Sequence, residues 1–366
     1  DKIVAALAAM DADVVGLIEI ENADGAMQNL VDGLNATMGD GTYAQVDTGP
    51  IGTDAIKVGF IYQPASISLA GDFAVLDSSV DPTFIDTRNR PVLIQSFTDD
   101  ASGETFTAAA AHLKSKGSDC DDLGDPDSGD GQGDCSGTRT AATQALASYL
   151  ATDPTGSGDE DYLVLGDLNS YRNEDPIVAL EDAGYLDLLE DGIGDAAYTY
   201  LFDGQLGYLD HAMANEPLAK QVSGVTAWHI NADEVPLFDY NGDIEDVNER
   251  SFQRESSALP IYEPDAYRSS DHDPVLVGLD LSSGPSYQCA GATHTVNELE
   301  AAGYTVTVGT DGKDDMVGTD GRDAIFALGG DDNVQAGLGD DLVCGGDGRD
   351  QINAEGGENL LFGEDG

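Results

Sequence analysis

Basic residues are scarce in this 366-residue chain: 15 Lys and Arg stand against 70 Asp and Glu, a formal net charge of −55. Such a balance excludes non-specific binding to nucleic acid at low salt, which needs clustered cations to release counterions. Any phosphate substrate must be received locally, by metal ions and a few placed bases. Two physical readings account for the acids. A surface adapted to salt tolerates them because screening shortens to about 3 Å at 1 M. Alternatively, many are ligands for Ca²⁺, a hard ion that takes carboxylate oxygens. The two are compatible. Long apolar runs are also missing, and none approaches the roughly 18–20 residues that span a bilayer. Trp228 is the sole tryptophan. The four cysteines, Cys120, Cys135, Cys289 and Cys344, form no CxxC, which argues against zinc and thioredoxin-like readings. An even count in an acidic, loop-rich chain points to disulfides and an extracellular or cell-surface protein. Cys120 and Cys135 bracket a Gly/Asp loop that buries no core and gains from a staple. Four cysteines allow three pairings; Cys120 with Cys135 is favoured, and the pairing of Cys289 with Cys344 stays open.

What is present falls into two grammars. Residues 1–281 read as α/β. Apolar strand candidates are Val14–Ile18, Val58–Tyr62, Val92–Phe97, Phe106–Ala111, Tyr162–Leu165, Leu209–Ala214 and Val275–Leu281. Helix candidates are Ile3–Met10, Gly25–Thr37, Thr138–Leu150 and Asp175–Ala183. The mixture implies sheets covered by helices. A Ser/Gly/Pro stretch, "LSSGPSYQ", then opens a linker over 282–308. From Gly309 to residue 366 the chain runs in nine-residue blocks. Their fourth place is always Gly, and their eighth is apolar throughout (Met316, Ile325, Val334, Val343, Ile352, Leu361). The sixth is Asp314, Asp323, Asp332, Asp341 and Asp350, then Asn359. This resembles the Ca²⁺-binding nonapeptide of RTX proteins, which implies a parallel β-roll with those five aspartates as calcium ligands. Two shorter acid clusters, Asp125/Asp127/Asp130 and Asp239/Asn241/Asp243, complete no EF-hand loop and read as solvated loops. The final "GEDG" reads as the start of a seventh block and the first residues as the inside of a helix, so the chain reads as a fragment of a longer one.

Chemistry-bearing residues gather where apolar strands end. "GLIEIEN" places Glu19 there, "AAAAHLKSKG" His112, and "LVLGDLNS" Asp167 and Asn169. "GYLDHAMA" adds Asp210, and "RSSDHDPVLVGL" adds Asp271 and His272 ahead of a strand. Alone, each is more often a satisfied polar residue than a catalyst. Together and in this order, they resemble the endonuclease/exonuclease/phosphatase superfamily, the DNase I-like fold, and in particular its bacterial secreted nuclease branch.

The resemblance implies a four-layer α/β sandwich, here without its first strand, and metal-dependent hydrolysis of a phosphodiester. Glu19 and Asp271 would hold Mg²⁺ or Mn²⁺. His272 would take a proton from water, oriented by Asp210. His112 would donate toward the leaving oxygen, and Asp167 and Asn169 would hold metal, water or phosphate. Asp54 is the nearest candidate to orient His112. Lys57, Arg88, Arg90, Lys114, Lys116, Arg139 and Arg268 lie near these segments and can form a positive rim for nucleic acid; Lys114, Lys116, Arg139 and Arg268 are taken as its substrate contacts. His211, His229 and His294 read as neighbour or surface histidines. The leading function is a secreted nuclease for DNA, with RNA as a further substrate. Alternatives are a phosphatase or phospholipid phosphodiesterase of the same fold, or a catalytically dead calcium-dependent adhesion protein.

Overall fold

The computed structural model describes residues 1–235, 263–281 and 286–364. The Asp239/Asn241/Asp243 cluster lies outside the described residues. Two compact units divide the chain, 1–279 and 280–366.

The first unit opens with α1 (Lys2–Met10), β1 (Val14–Glu21), α2 (Ala26–Met38), β2 (Ala44–Gln45) and β3 (Ile56–Tyr62). These strands form a small sheet in the order β1–β3–β2. Leu7, Met27, Val31 and Leu34 of the two helices pack on Val15, Leu17 and Ile61 of that sheet. A larger sheet follows: β4 (Ile67–Leu76), β5 (Val92–Asp99), β6 (Thr105–His112), then α3 (Ser136–Leu150), β7 (Tyr162–Asp167), α4 (Asp175–Asp182) and β8 (Tyr185–Asp187). A hairpin of β9 (Tyr200–Phe202) and β10 (Gln205–Gly207) precedes β11 (Asp210–Asn215). The larger sheet runs β4–β5–β6–β7–β11–β8. Leu146, Leu150, Ile177 and Leu180 of α3 and α4 bury against its outer face. Between the sheets Phe97 meets Phe60 edge-on, centroids 5.4 Å apart, and Phe106 at 5.8 Å. The layers are therefore helix, sheet, sheet, helix, the four-layer DNase I-like sandwich expected from the sequence. Outside them, β12 (Val222–Ala227) pairs antiparallel with β13 (Val275–Leu279).

Disulfide Cys120–Cys135 closes the Gly/Asp loop as expected. Asp125 in that loop caps α3 by accepting the N–H groups of Gly137 (3.1 Å) and Thr138 (2.7 Å). An acceptor at the positive end of a helix stabilises it, so this acid serves the fold.

The second unit is a parallel β-solenoid. Before it, β14 (Ser286–Cys289) and β15 (Ala292–Thr295) form a hairpin, followed by a helix, Val296–Ala301. This structure occupies most of the stretch read as linker. The coils are β16 (Thr305–Val308), β17 (Asp315–Val317), β18 (Asp323–Phe326), β19 (Asn333–Leu338), β20 (Leu342–Cys344), β21 (Gln351–Gly356) and β22 (Leu360–Phe362). One sheet runs β16–β18–β20–β22 and the other β17–β19–β21, so two nonapeptides make one turn. Met316, Ile325, Val334 and Val343, all eighth-place residues, meet in the interior. At Gly348 (φ +134°) an added Cβ would lie 1.6 Å from the Gly330 carbonyl oxygen, so stacking requires glycine there. Cys289 pairs with Cys344.

Candidate active site

Three neighbouring strands of the larger sheet deliver the site. His112 ends β6 and pairs in parallel register with Asp167, which ends β7. Asp210 opens β11 and pairs with the same Asp167 in antiparallel register. Three residues far apart in sequence thus form a row at one end of the sheet. The approach is tight. At Gly166 (φ +126°) an added Cβ would sit 2.1 Å from the Ala111 carbonyl oxygen, which explains the Gly before Asp167.

Asn169 follows in the left-handed region (φ 49°), which Asn tolerates. Its backbone N–H donates to Asp167 Oδ1 (2.8 Å) and its Nδ2 to Asp167 Oδ2 (2.9 Å). Glu19 arrives from the other sheet. The β1–β3 register slips between Leu17 and Ile20, and Glu19 has φ 60°. Bulges of this kind re-aim side chains near active sites. Here the bulge brings an exposed carboxylate to 3.8 Å from His112 Nε2.

The two histidines differ in electrostatics. His112 is buried, with Nε2 3.5 Å from Asp167 Oδ2 and 3.3 Å from Arg90 Nη1. Burial, then the nearby Arg90, His272 and Lys114, push its pKa down to about 3. Asp54 does not orient it directly; Asp54 Oδ2 accepts from Arg90 Nε (2.9 Å), and Arg90 reaches His112. His272 Nδ1 lies 2.7 Å from Asp210 Oδ2, which also accepts from Thr199 Oγ1 at 2.7 Å. The His272 ring stacks on Tyr200, centroids 4.4 Å apart. Burial alone would lower its pKa, but Asp210, Asp167 and Asp271 overrule it and push it up to about 9. Burial and the Asp210 charge raise the Asp167 carboxyl as well. Asp271 is exposed, and among the described residues it accepts a long contact, 3.5 Å, from Ser270 Oγ.

The expected cationic rim is largely committed elsewhere. Arg139 is completely buried: Nε donates to Ser170 Oγ (3.1 Å), Nη1 to the Lys114 and Asp134 carbonyls (3.1 and 2.7 Å), and Nη2 to the Gln132 carbonyl (2.8 Å). It clamps the disulfide loop to the loops that follow His112 and Asp167. Arg139→Ala is expected to lower the unfolding free energy by about 3 kcal/mol or more, because buried acceptors lose a charged donor; urea titration of the two proteins measures it. Lys116 pairs with Glu174 and lies over the Tyr171 ring, 4.7 Å from its centroid. Arg88 Nη2 donates to both Asp122 carboxylate oxygens at 2.6 Å, and Lys57 is buried on the Gly49 carbonyl at 2.5 Å. Arg268 Nη1 donates to the Asn231 carbonyl at 2.7 Å. Lys114 stands beside Arg90, and burial followed by that positive charge lowers its pKa. His211 is a buried structural residue, between Asp187 Oδ2 (3.1 Å) and the Ser170 carbonyl (2.8 Å).

Sequence reasoning misses Thr199, Tyr200 and Asp273. Asp273 is buried, and its Oδ1 accepts the N–H groups of Ile230, Asn231 and Ala232 at 3.0, 2.8 and 3.0 Å. This supplies a structural role for the second Asp of "DHDP".

Glu19, Asp167 and Asp210 form an excess of negative charge at the strand ends. A hard divalent ion with oxygen ligands fits that set of carboxylates. Among the described residues no three His, Cys, Asp or Glu side chains already stand as a preformed metal cluster.

The solenoid acids fit a cation by a separate observation. Oδ1 of Asp332, Asp341 and Asp350 accepts the N–H of the sixth-place residue 18 positions earlier, at 2.7, 3.0 and 3.1 Å. Oδ2 of all three is buried with no partner among the described residues. Asp314 and Asp323 differ, since their Oδ2 atoms accept from Thr310 and Thr319 N–H groups, each at 2.7 Å.

No curated protein sequence matches the chain. Similar solved structures include an endonuclease/exonuclease/phosphatase family protein from Bacteroides thetaiotaomicron (14% identity, TM-score 0.48, covering 75% of this chain and 86% of that one). A Bacteroides thetaiotaomicron mannosyl-6-phosphatase (14%, TM-score 0.47, 76% and 88%) and D. rerio TDP2 complexed with single-strand DNA product (17%, TM-score 0.39, 61% and 78%) are further ones. The family model described as "Endonuclease/Exonuclease/phosphatase family" matches residues 1–272. With that match over most of its length, and with His112, Asp167 and Asp210 in a row at its strand ends, the chain belongs to the endonuclease/exonuclease/phosphatase family.

Proposed function

We propose that this protein is a secreted, divalent-metal-dependent nuclease that hydrolyses extracellular DNA, and RNA as a further substrate. The observation that carries the reading is the His272–Asp210 pair, set beside Asp167, Asn169, Glu19 and His112 at one sheet end. Glu19, with Asp167 and Asp271 nearby, would hold Mg²⁺ or Mn²⁺, which when bound neutralises charge on the phosphate. His272 takes the proton of the attacking water at Nε2, while Asp210 fixes Nδ1 as the protonated nitrogen. His112 has a pKa of about 3. It is therefore neutral in the working range, with Nε2 placed to accept from Arg90 Nη1, and we assign it the placing of that guanidinium beside the phosphate in place of the proton donation the family resemblance implies. Asn169 spends both Nδ2 hydrogens on Asp167 Oδ2 and the Leu113 carbonyl, so it locks Asp167 in place and leaves Oδ1 as the atom that would hold metal or water. Two disulfides fit an oxidising compartment, and among the described residues no helix is long and apolar enough to cross a membrane. The solenoid would bind Ca²⁺ through Asp332, Asp341 and Asp350, with Asp314 and Asp323 as weaker contributors.

One observation favours a second reading, a phospholipid phosphodiesterase: the β9–β10 hairpin beside Tyr200 exposes Leu201, Phe202 and Leu206. Incubation with plasmid DNA, RNA and phospholipid vesicles, each with Mg²⁺, Mn²⁺ or chelator, decides between them. Metal-dependent DNA cleavage is the expected result; release of phosphorylated headgroup without DNA cleavage would replace the nuclease reading.

A further inference from the structure

Beyond the last pair of β12 and β13, Ala227 with Val275, the register continues. Trp228 N–H donates to the Pro274 carbonyl at 2.9 Å, and His229 then faces Asp273, with Nδ1 2.8 Å from Oδ2. The result is a second His–Asp pair, one residue along the chain from His272–Asp210. The same segment covers both rings. Tyr200 stacks on His272, and Tyr198 stacks on His229 with centroids 3.8 Å apart and planes within 5°. Asp273 N–H donates to the Thr199 carbonyl at 2.8 Å, which holds that segment against both pairs.

The two partnered histidines that lie away from the catalytic row are built differently. His211 has no exposed side-chain surface and both ring nitrogens engaged, as a packing residue should. His229 keeps 37% of its side chain exposed, and its Nδ1 is the nitrogen that meets Asp273. Asp273 does not need it to hold the neighbouring turn, since Oδ1 alone accepts the three backbone N–H groups there. With Nδ1 donating to Asp273 and one ring face under Tyr198, His229 presents an edge carrying Nε2. In the imidazolium form that edge is a charged N–H donor of fixed direction. Arg268 adds positive charge, anchored by Nη1 on the Asn231 carbonyl in the same turn.

Tyr198 and Tyr200 are two residues apart across a bend at Thr199, so their Cα atoms lie at most about 7 Å from each other. A monoester or a small diester has one phosphate and needs one such receptor; a polynucleotide offers a second anion a short step away. We propose that His229, clamped by Asp273 and stacked on Tyr198, receives a second phosphate of a polynucleotide, flanking the one attacked at His272. The inference rests on the nuclease reading and deepens it, because it makes the substrate a chain of phosphates.

The test is steady-state kinetics of the full chain on a single-stranded oligonucleotide and on bis(4-nitrophenyl) phosphate, which has one phosphate. His229→Asn keeps an amide donor near the Nδ1 position and removes Nε2; His229→Gln places one near Nε2. Losing a charge-assisted hydrogen bond to an anion costs on the order of ten-fold or more in affinity. His229→Asn is therefore expected to lower the ratio of kcat/KM for oligonucleotide over small diester about ten-fold, through KM. His229→Gln should recover part of that ratio. An unchanged ratio in His229→Asn, with the wild type cutting the oligonucleotide, overturns the inference and leaves the nuclease reading intact. Equal losses on both substrates also overturn it, by showing a structural role. A wild type that hydrolyses the small diester but no oligonucleotide removes the nuclease reading and the inference with it.

Discussion

Replacing His272 by Ala should cost between about 10²- and 10⁴-fold in kcat on a phosphodiester, the usual range for one proton-transfer group. The ring is only partly exposed and sits at a strand mouth, so the melting temperature should move little. The pH–rate profile gives a sharper check. His272 is raised to about 9 by the carboxylates of Asp210, Asp167 and Asp271 against the opposing effect of burial. A base acts in its deprotonated form, so activity should rise with pH and level off above the His272 pKa. Asp210→Asn removes a negative charge that favours imidazolium. The rising limb should then move to lower pH, while kcat falls because Thr199 and an amide no longer select the Nδ1–H tautomer. A divalent ion near Glu19 acts in the same direction as that substitution. His112, lowered to about 3, should add no falling limb in the neutral range. A bell with an alkaline arm that vanishes in His112→Ala would contradict the roles assigned to both histidines.

Calcium removal should have the other large effect, on the solenoid. Stacked parallel strands lie roughly 4.8 Å apart. Asp314, Asp332 and Asp350 therefore form one column of like charges along the coil, and Asp323 and Asp341 another, ended by Asn359. In Asp332, Asp341 and Asp350 the Oδ2 atom is buried with no donor among the described residues, and an unpaired buried charge is strongly destabilising. Each bound ion at 100 times its Kd contributes about 2.7 kcal/mol. Amides of 305–364 should accordingly lose hydrogen-exchange protection in chelator and regain it with Ca²⁺. Mg²⁺, which demands tighter octahedral geometry, should restore little. The two kinds of aspartate also predict a gradient. Asp341→Asn should weaken calcium protection more than Asp314→Asn, because Thr310 already satisfies Asp314. Exchange rates identical in calcium and chelator would rule out the cation.

Buried strands with continuous apolar runs, β5 to β7, are legible in the sequence, and so are the residues that end them. Periodicity marks where such a run stops, and a polar residue at that point is conspicuous. Strand β4 is not legible in this way. It is an edge strand whose pairing with β5 slips between Ala70 and Ala74, and its middle exposes Ser68, Leu69, Asp72 and Phe73. The segment 286–308 reads as linker because its strands are short. Tyr287, Tyr304, Val306 and Val308 become a core only against the coils beyond them. At the site, residue types are readable and partnerships are not. Arg139 meets Ser170, and Lys116 meets Glu174, 31 and 58 positions away. No local pattern reports such pairings, so bases that look free in sequence prove to be bracing loops. Asp273 shows the converse, since one Asp of a catalytic-looking triplet holds a turn and His229.

The Cys289–Cys344 link gives the solenoid a direction of failure. Coils in such an array touch only their neighbours, so they normally fray from either side. Here the covalent tie joins β14, ahead of the coils, to β20 within them, across 55 positions. Everything from β16 to β20 is enclosed in that loop and can come apart only while still tethered, which limits the disorder it gains. Strands β21 and β22 lie outside it. A protease or a pulling force should therefore strip the coil past Cys344 first and stall at the tie. Under reducing conditions the stall should disappear, and the array should unravel from both sides alike.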